Sequence, residues 1–338
     1  MSRLASVQAK FAERVNRGSL RRPFPWLVVI VTAAFALVPL WRDDVQLRES
    51  LLLASVYITL ASNLNLMIGY AGYVNFGNIV FFGLGGYICV YLIDTWHWPL
   101  LVAALAAGLG VSAVALVFGL GILRLRGAFF ALATIGVNEA VKAFVANFEP
   151  WGGATGIYLS LDAYGSLGGP MRALWTAYVL IVAVTGLSLL LSWAIKRSKF
   201  GLGLLAIGQN EDAAAVLGVP TPRYKALVYS ISAFLPAVVG GLYFFKSGII
   251  EPTGAFDLSF SIEAIVMVML GGAGTVTGPA IGAFLYEELR GLLLVAETFS
   301  HFQLVIAGAL LLLIVLFVPG GLMGWIHQKW PSTRWWLE

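Results

Sequence analysis

Five polar residues sit where polar groups are costly: Asn75, Asn78, Thr134, Asn138 and Glu139 interrupt runs that are otherwise aliphatic and aromatic. Amides and hydroxyls in that setting hydrogen-bond either a polar solute or a neighbouring helix, because an unpartnered polar atom in an apolar medium costs about 2–7 kcal/mol. Asn75 and Asn78 are three residues apart and share a face if that stretch is helical. Thr134, Asn138 and Lys142 follow at four-residue steps, with Glu139 alongside. Ionisable side chains within apolar spans face protein or water, and Glu139 and Lys142 have the spacing to pair with each other. The expectation is that Asn75 and Asn78 line a solute path or a seam between subunits, that Thr134 and Asn138 line the path, and that Glu139 either lines it or pairs with Lys142. Interhelical bonding with no solute contact is the alternative.

A second constellation is different in kind. The stretch "KRSKFGLGLLAIGQNEDAAAVLGVPTPRYK", Lys196 to Lys225, is bounded by basic residues and holds only short apolar clusters. Asn210 suits an N-cap, Glu211 and Asp212 put negative charge on the first turn, and Gly218 suits a C-terminal cap. The pattern predicts a short helix whose small residues, Ala213 and Ala214 among them, let another protein approach closely. An amphipathic helix lying on the inner leaflet is the competing reading.

Catalytic sets are missing. His97, His301 and His327 lack the spacing of a metal pair. The dipeptide Gly-Lys never occurs, so no P-loop can form. The glycine-rich stretches 201–208 and 271–278 do not have GxGxxG spacing after a strand. Cys89 is alone and makes no intrachain disulfide. Glu287, Glu288 and Arg290 read as the outer end of a helix. No catalytic residue and no metal site is expected, and nucleotide-driven work falls to another chain.

The elements that must position these residues are membrane helices. The 338 residues are 59% hydrophobic and 11% charged, whereas soluble domains are about a quarter charged. Runs near the roughly 20 residues that cross a bilayer cover Phe24–Leu40, Ser50–Gly69, Phe76–Ile93, Trp98–Leu123, Ala128–Val145, Ala173–Ile195, Ala226–Phe245 and Phe302–Val318. Ile262–Leu270 and Pro279–Tyr286 are either two full helices or two halves of one, so the count is eight to ten. With the N-terminus inside, 15 of 21 Lys and Arg fall on the cytoplasmic side, with only Glu13, Glu211, Asp212 and Glu338 of the 17 acids. That distribution places +11 inside and −7 elsewhere. Topology and anionic inner-leaflet lipid therefore explain the basic pI without nucleic acid. The expected fold class is an all-α polytopic membrane protein of 8–10 transmembrane helices with cytoplasmic N- and C-termini. It divides into a cytoplasmic segment 1–23 that is not a cleavable signal, a transmembrane region 24–324 carrying the cytoplasmic loop 196–225, and a cytoplasmic tail 325–338.

"DAAAVLG", Asp212 to Gly218, resembles the EAA-x3-G signature of bacterial ABC-importer permeases, with Asp in place of Glu. Three more blocks occur in order: "GYAGYVNFGNIVFFGLGGY" from Gly69, "RLRGAFFALATIGVNEAVKAF" with "WGGATG" between Arg124 and Gly156, and "VMLGGAGTVTGPAIGAFLYEELR" from Val268. Together they resemble the branched-chain amino acid ABC transporter permease family, specifically its LivM-type subunit, over about Ser50 to Gly324. The resemblance implies a type II importer-like permease in the bacterial inner membrane that binds no cofactor itself. Its implied partners are a second homologous permease in a heterodimer, two cytoplasmic ATPases carrying ATP and Mg, an extracytoplasmic solute-binding protein and membrane lipid. Asn210, Glu211, Asp212, Ala213, Ala214 and Gly218 are then the residues that pack into a groove on the ATPase. The implied solute is a branched-chain or other neutral amino acid. Asn75 and Asn78 replace a Ser and a His or Gln of many relatives, and Trp151-Gly152-Gly153 often replaces Thr-Gly-Gly. Urea and short-chain amides therefore stay open as alternatives. An ion-coupled secondary carrier using Glu139 or Glu287 is the rival from another class, but no clear internal repeat supports it and it leaves the 196–225 loop without a role.

Six glycines between Gly69 and Tyr87, each costing a helix about 0.8–1 kcal/mol relative to alanine, imply close helix packing or a helix break facing a cavity. The glycine-rich outer loop Asn147 to Gly165 reads first as a connector, with a lid or a docking site for a binding protein as alternatives.

Overall fold

A computed structural model describes residues 24–41, 45–295, 305 and 320–330. The expected cytoplasmic segment 1–23, the span Phe302–Val318 apart from Val305, and residues 331–338 of the tail lie outside the described residues.

Lipid offers backbone groups no hydrogen-bond partners, so the chain satisfies them in helices. In order these are α1 (Phe24–Trp41), α2 (Val45–Asn65, continued by a π-helical turn Leu66–Tyr70), α3 (Asn78–Trp96), α4 (Leu100–Ile122), α5 (Ala128–Ala146) and α6 (Pro170–Arg197). The shorter α7 (Lys199–Gln209) and α8 (Glu211–Val216) lead to α9 (Thr221–Ser247), α10 (Pro252–Ala255), α11 (Leu258–Gly271), α12 (Gly278–Val295) and α13 (Gly321–Lys329). Proline opens α6, α9 and α10, where a missing N–H removes no helical bond. Seven helical stretches are long and apolar enough to cross a membrane: α2 with its π turn, α3, α4, α5, α6, α9, and α10 with α11. The chain is thus an all-α polytopic membrane protein.

α2 and α9 form the centre, with 89% and 72% of their apolar windows buried, whereas α5, at 22%, is peripheral. α9 packs along both α3 and α4. A Cβ added at Gly85 would lie 2.1 Å from the Ala237 carbonyl oxygen, and one at Gly240 would lie 2.0 Å from that of Phe82. The α3–α9 crossing is therefore backbone against backbone, and dispersion there replaces the hydrophobic drive that lipid removes. α2 is joined to α6 by a buried polar ladder. Thr59 Oγ1 and Thr185 Oγ1 are 3.0 Å apart, Asn63 Nδ2 donates to Ser188 Oγ at 2.8 Å, and the Tyr70 and Ser192 hydroxyls are 3.1 Å apart.

The two short apolar runs after residue 260 are two helices, α11 and α12, packed side by side around a glycine turn. A Cβ on Gly282 would stand 1.9 Å from the Met267 carbonyl oxygen. The turn docks on α2 through both ends of one amide: Asn65 Nδ2 donates to Thr275 O at 2.8 Å and Asn65 Oδ1 accepts from Gly274 N at 2.9 Å. Arg290 does more than mark a helix end. Its Nη1 donates to Tyr57 Oη at 2.8 Å, and Tyr57 donates to Glu263 Oε2 at 2.9 Å, so α12, α2 and α11 are clamped together.

The loop between α5 and α6 packs against the bundle. Its strand β1 (Ile157–Tyr158) pairs antiparallel with β2 (Ile249–Ile250), placing Ile157 opposite Ile250. Trp151 stacks on Tyr87 at 5.4 Å, and Tyr164 Oη donates to Phe245 O at 3.1 Å.

Candidate functional site

The first group of polar residues converges where α3 starts. α3 begins at Asn78, so Asn75 precedes the helix and does not share a helical face with Asn78. Asn75 Oδ1 instead accepts from Gly77 N at 3.0 Å, an Asx turn that leads the chain into α3. Thr134 Oγ1 on α5 accepts from Phe76 N at 3.1 Å. Asn138, one turn further along, donates through Nδ2 to Phe256 O at 3.0 Å, at the break between α10 and α11. Ile79 N reaches Ser261 Oγ on α11 at 3.1 Å. Asn75, Asn78, Thr134 and Asn138 are all at most 2% exposed. Asn75 Nδ2, Asn78 Oδ1 and Asn138 Oδ1 are buried with no hydrogen-bond partner. Three buried amide atoms there thus have hydrogen-bonding capacity that the described residues leave unused.

Glu139 is placed differently. It lies with Leu132, Gly136 and Ala143 on the exposed face of α5. It makes no ion pair with Lys142 among the described residues, and its Oε1 lies 3.5 Å from Asn138 Nδ2. The i,i+3 pairing that the spacing allows is not made: Glu139 is exposed and Lys142 half-buried.

The second group forms the short helix that the sequence pattern predicts. Asn210 Oδ1 accepts from Ala213 N at 3.0 Å and caps α8, while Gly218, at φ 89°, adopts the left-handed conformation that ends it. Ala214 turns inward, 2% exposed, whereas Val216 and Leu217 stand out at 88% and 82%. Asp212 pairs with Arg126 Nη1 at 2.9 Å.

Glu211 carries more than a helix-dipole charge. Lys225 Nζ, near the start of α9, donates to Glu211 Oε1 at 2.7 Å, to Tyr73 Oη at 3.0 Å and to Leu123 O at 2.6 Å. All three ammonium donors are thereby used. Tyr73 Oη donates to Glu211 Oε2 at 2.5 Å, and Arg126 Nε lies 3.4 Å from the same oxygen. The Lys225 side chain is 4% exposed. Burial alone would raise the Glu211 carboxyl, but hydrogen bonds from Lys225 and Tyr73 with the charges of Lys225 and Arg126 outweigh it and hold the group below its usual range. The Tyr73 phenol is pushed up, chiefly by burial and then by its bond to Glu211. One cluster thus ties α8 to the loop after α2, the end of α4 and the start of α9. α7 leans on the same region, since a Cβ at Gly208 would lie 2.6 Å from the Tyr70 carbonyl oxygen.

Tyr73 and Lys225 are functional candidates that composition and spacing did not single out. The available signal is that Lys225 shares a helical face with Tyr229 and Ser232, at four and seven residues, and both of those are buried. Among the described residues, no group of three His, Cys, Asp or Glu is placed to hold a metal ion.

Residues 46–315 match the family described as "Branched-chain amino acid transport system / permease component". The chain is 26% identical over 305 residues to the high-affinity branched-chain amino acid transport system permease protein LivM of Escherichia coli (strain K12), covering 83% of this chain and 69% of that protein. It is 27% identical over 301 residues to the corresponding permease protein LivH of Salmonella typhimurium, covering 82% of this chain and 94% of that protein. The ribose import permease protein RbsC of Bacillus subtilis is 28% identical over 198 residues, 55% of this chain and 61% of that protein. No solved structure matches the chain. Helices built to cross a bilayer, a pinned surface helix and a family match over most of the length lead to one conclusion: the chain belongs to the branched-chain amino acid permease family and is a multi-pass ABC importer permease subunit of the bacterial inner membrane.

Proposed function

We propose that this permease passes branched-chain or other neutral amino acids through the membrane, and that α8 transmits the motion of ATPase subunits to it. The observation that carries the reading is α8 itself. It presents Val216 and Leu217 outward, while Glu211 at its first position is held by a buried lysine from a long central helix. Such a helix can pass a push into the bundle without bending away from it. Nucleotide binds the separate ATPases, whose different affinities for ATP in two arrangements supply the shift between inward- and outward-facing states. Both termini are cytoplasmic in this reading, the heterodimer is completed by a homologous permease, and a binding protein delivers solute at the β1–β2 cap. Asn75, Asn78, Thr134 and Asn138 are the polar surface that solute meets inside, with the three unbonded amide atoms in support. Glu139, on the outer face of α5, belongs to the seam with the partner permease.

Copurification tests the assembly. The chain is expected to retain ATPase subunits and to lose them on Gly218→Trp while staying folded. Uptake by the purified chain with no ATPase present would overturn the proposal and restore the ion-coupled carrier.

A further inference from the structure

We propose that Glu139 and Lys142, on the seam side of α5, are the charged contacts for solute in transit: the carboxylate takes the α-ammonium of an amino acid, and the lysine takes its α-carboxylate. The proposal rests on the reading of this chain as an amino acid permease and names the residues that recognise the charged end of the solute. Both side chains lie within a helix long and apolar enough to cross a membrane. Glu139 is exposed, Lys142 is half-buried, and neither makes an ion pair among the described residues. Residues three apart on a helix have Cβ atoms about 5–6 Å from each other. Two opposite charges therefore stand close together, and each is left for another partner.

Position along the helix narrows what that partner is. Glu139 stands seven residues from the end of α5 at Ala146, about 10 Å along the axis. Lys142 is closer to that end, and a lysine stem can carry its head to the interface. A glutamate has no such reach, and a carboxylate facing hydrocarbon at that depth is costly. A helix of a partner subunit would have to bring both a cation and an anion to this spot. An amino acid brings both on one carbon with no net charge. Its apolar part has room as well: Leu132, Gly136, Ala140 and Ala143 share the exposed face, and a Cβ added at Gly136 meets nothing within 4 Å. The pair also adjoins the buried amides, since Asn138 Nδ2 lies 3.5 Å from Glu139 Oε1 and Asn138 Oδ1 is buried without a partner. Urea and simple amides carry neither charge and would leave both groups unanswered.

The test reads solute contact without relying on transport. Gly136→Cys places a thiol on this face where a Cβ has open space, and Cys89 is fully buried, so the new thiol reports alone on this chain. In the assembled importer in nanodiscs, with the binding protein left out, a water-soluble methanethiosulfonate reagent is expected to modify position 136 and L-leucine to protect it. 4-Methylpentanamide, which keeps the carbon skeleton and lacks both charges, is expected not to protect. Glu139→Gln and Lys142→Met, each added to the reporter, are expected to raise the half-protecting leucine concentration about ten-fold while the ATPase subunits stay bound. No modification at position 136, equal protection by the amide, or protection unchanged in both variants overturns the proposal. ATP-driven leucine uptake by the complete importer with no protection at position 136 overturns this site alone, whereas absence of both uptake and protection removes the amino acid reading with it.

Discussion

Lys225 satisfies three acceptors at once, and removing it takes a donor from each of them in a place with little water. Lys225→Met therefore strands the Glu211 carboxylate. Breaking a buried pair in this way costs about 3–5 kcal/mol, and the lower end applies because Glu211 keeps Arg126 and some solvent. The expected outcome is a lower melting temperature of the purified chain and uptake that no longer follows ATP hydrolysis. Lys225→Met combined with Glu211→Gln should recover much of the stability, since the stranded charge is gone. The pH dependence has a definite sign. Glu211 has a folded-state value below that of the unfolded carboxyl, so its contribution is fully present above the unfolded value of about 4.3 and is lost as pH falls through the lower folded value. Glu211→Gln should flatten the acid limb of the stability profile and leave the neutral region's slope unchanged. At the other site, Asn138→Ala removes the donor to Phe256 O, and uptake at limiting solute should fall with assembly intact; unchanged uptake takes Asn138 out of the path. Sequence reading singled out Glu211, Asn210 and Asn138 because caps, first-turn acids and polar residues in apolar runs are local signals. Tyr73 and Lys225 escaped because their contacts join residues 138 and 152 positions apart, and no spacing rule reaches that far.

At the scale of elements, the glycine-rich stretch announced close packing but not its partner. The partner is α9, where Gly240 sits over Phe82 and Gly85 over Ala237. Gly240→Val must push the helices apart, and overpacking of this kind costs about 1–3 kcal/mol, more where backbone is the obstacle. A lowered melting temperature and reduced monodispersity in detergent are the expected readouts, while Gly121→Ala on α4, which meets nothing within 4 Å, should change neither. α8 behaves in the opposite way. Leu217 is 82% exposed, so Leu217→Asp should leave the chain's stability within about 0.5 kcal/mol and yet reduce the ATPase recovered with it. The residues of α11 and α12 were legible as apolar runs, but their lengths were not, because Glu263, Glu287 and Arg290 interrupt the hydropathy. The structure accounts for two of those charges by bonding Glu263 and Arg290 to Tyr57 inside the bundle.

Across the whole molecule, Arg124, Arg126, Lys225 and the exposed tip of α8 share one end of the bundle, while the β1–β2 cap and the Lys246–Glu49 pair hold the other. The proposed function puts the first end in the cytoplasm, as the charge asymmetry of the sequence leads one to expect. Cys89, the one cysteine of the chain, is fully buried, so it contributes little background to an impermeant maleimide. Leu161→Cys and Leu217→Cys place thiols at positions 77% and 82% exposed, on the cap side and at the tip of α8 respectively. Intact spheroplasts should label the first and spare the second, and inverted vesicles should do the reverse. Coexpressed ATPase subunits should then protect Leu217→Cys in inverted vesicles without affecting Leu161→Cys. Labelling of Leu217→Cys from outside would place α8 beyond the reach of any cytoplasmic motor, and with it would go the coupling role assigned to Lys225 and Glu211.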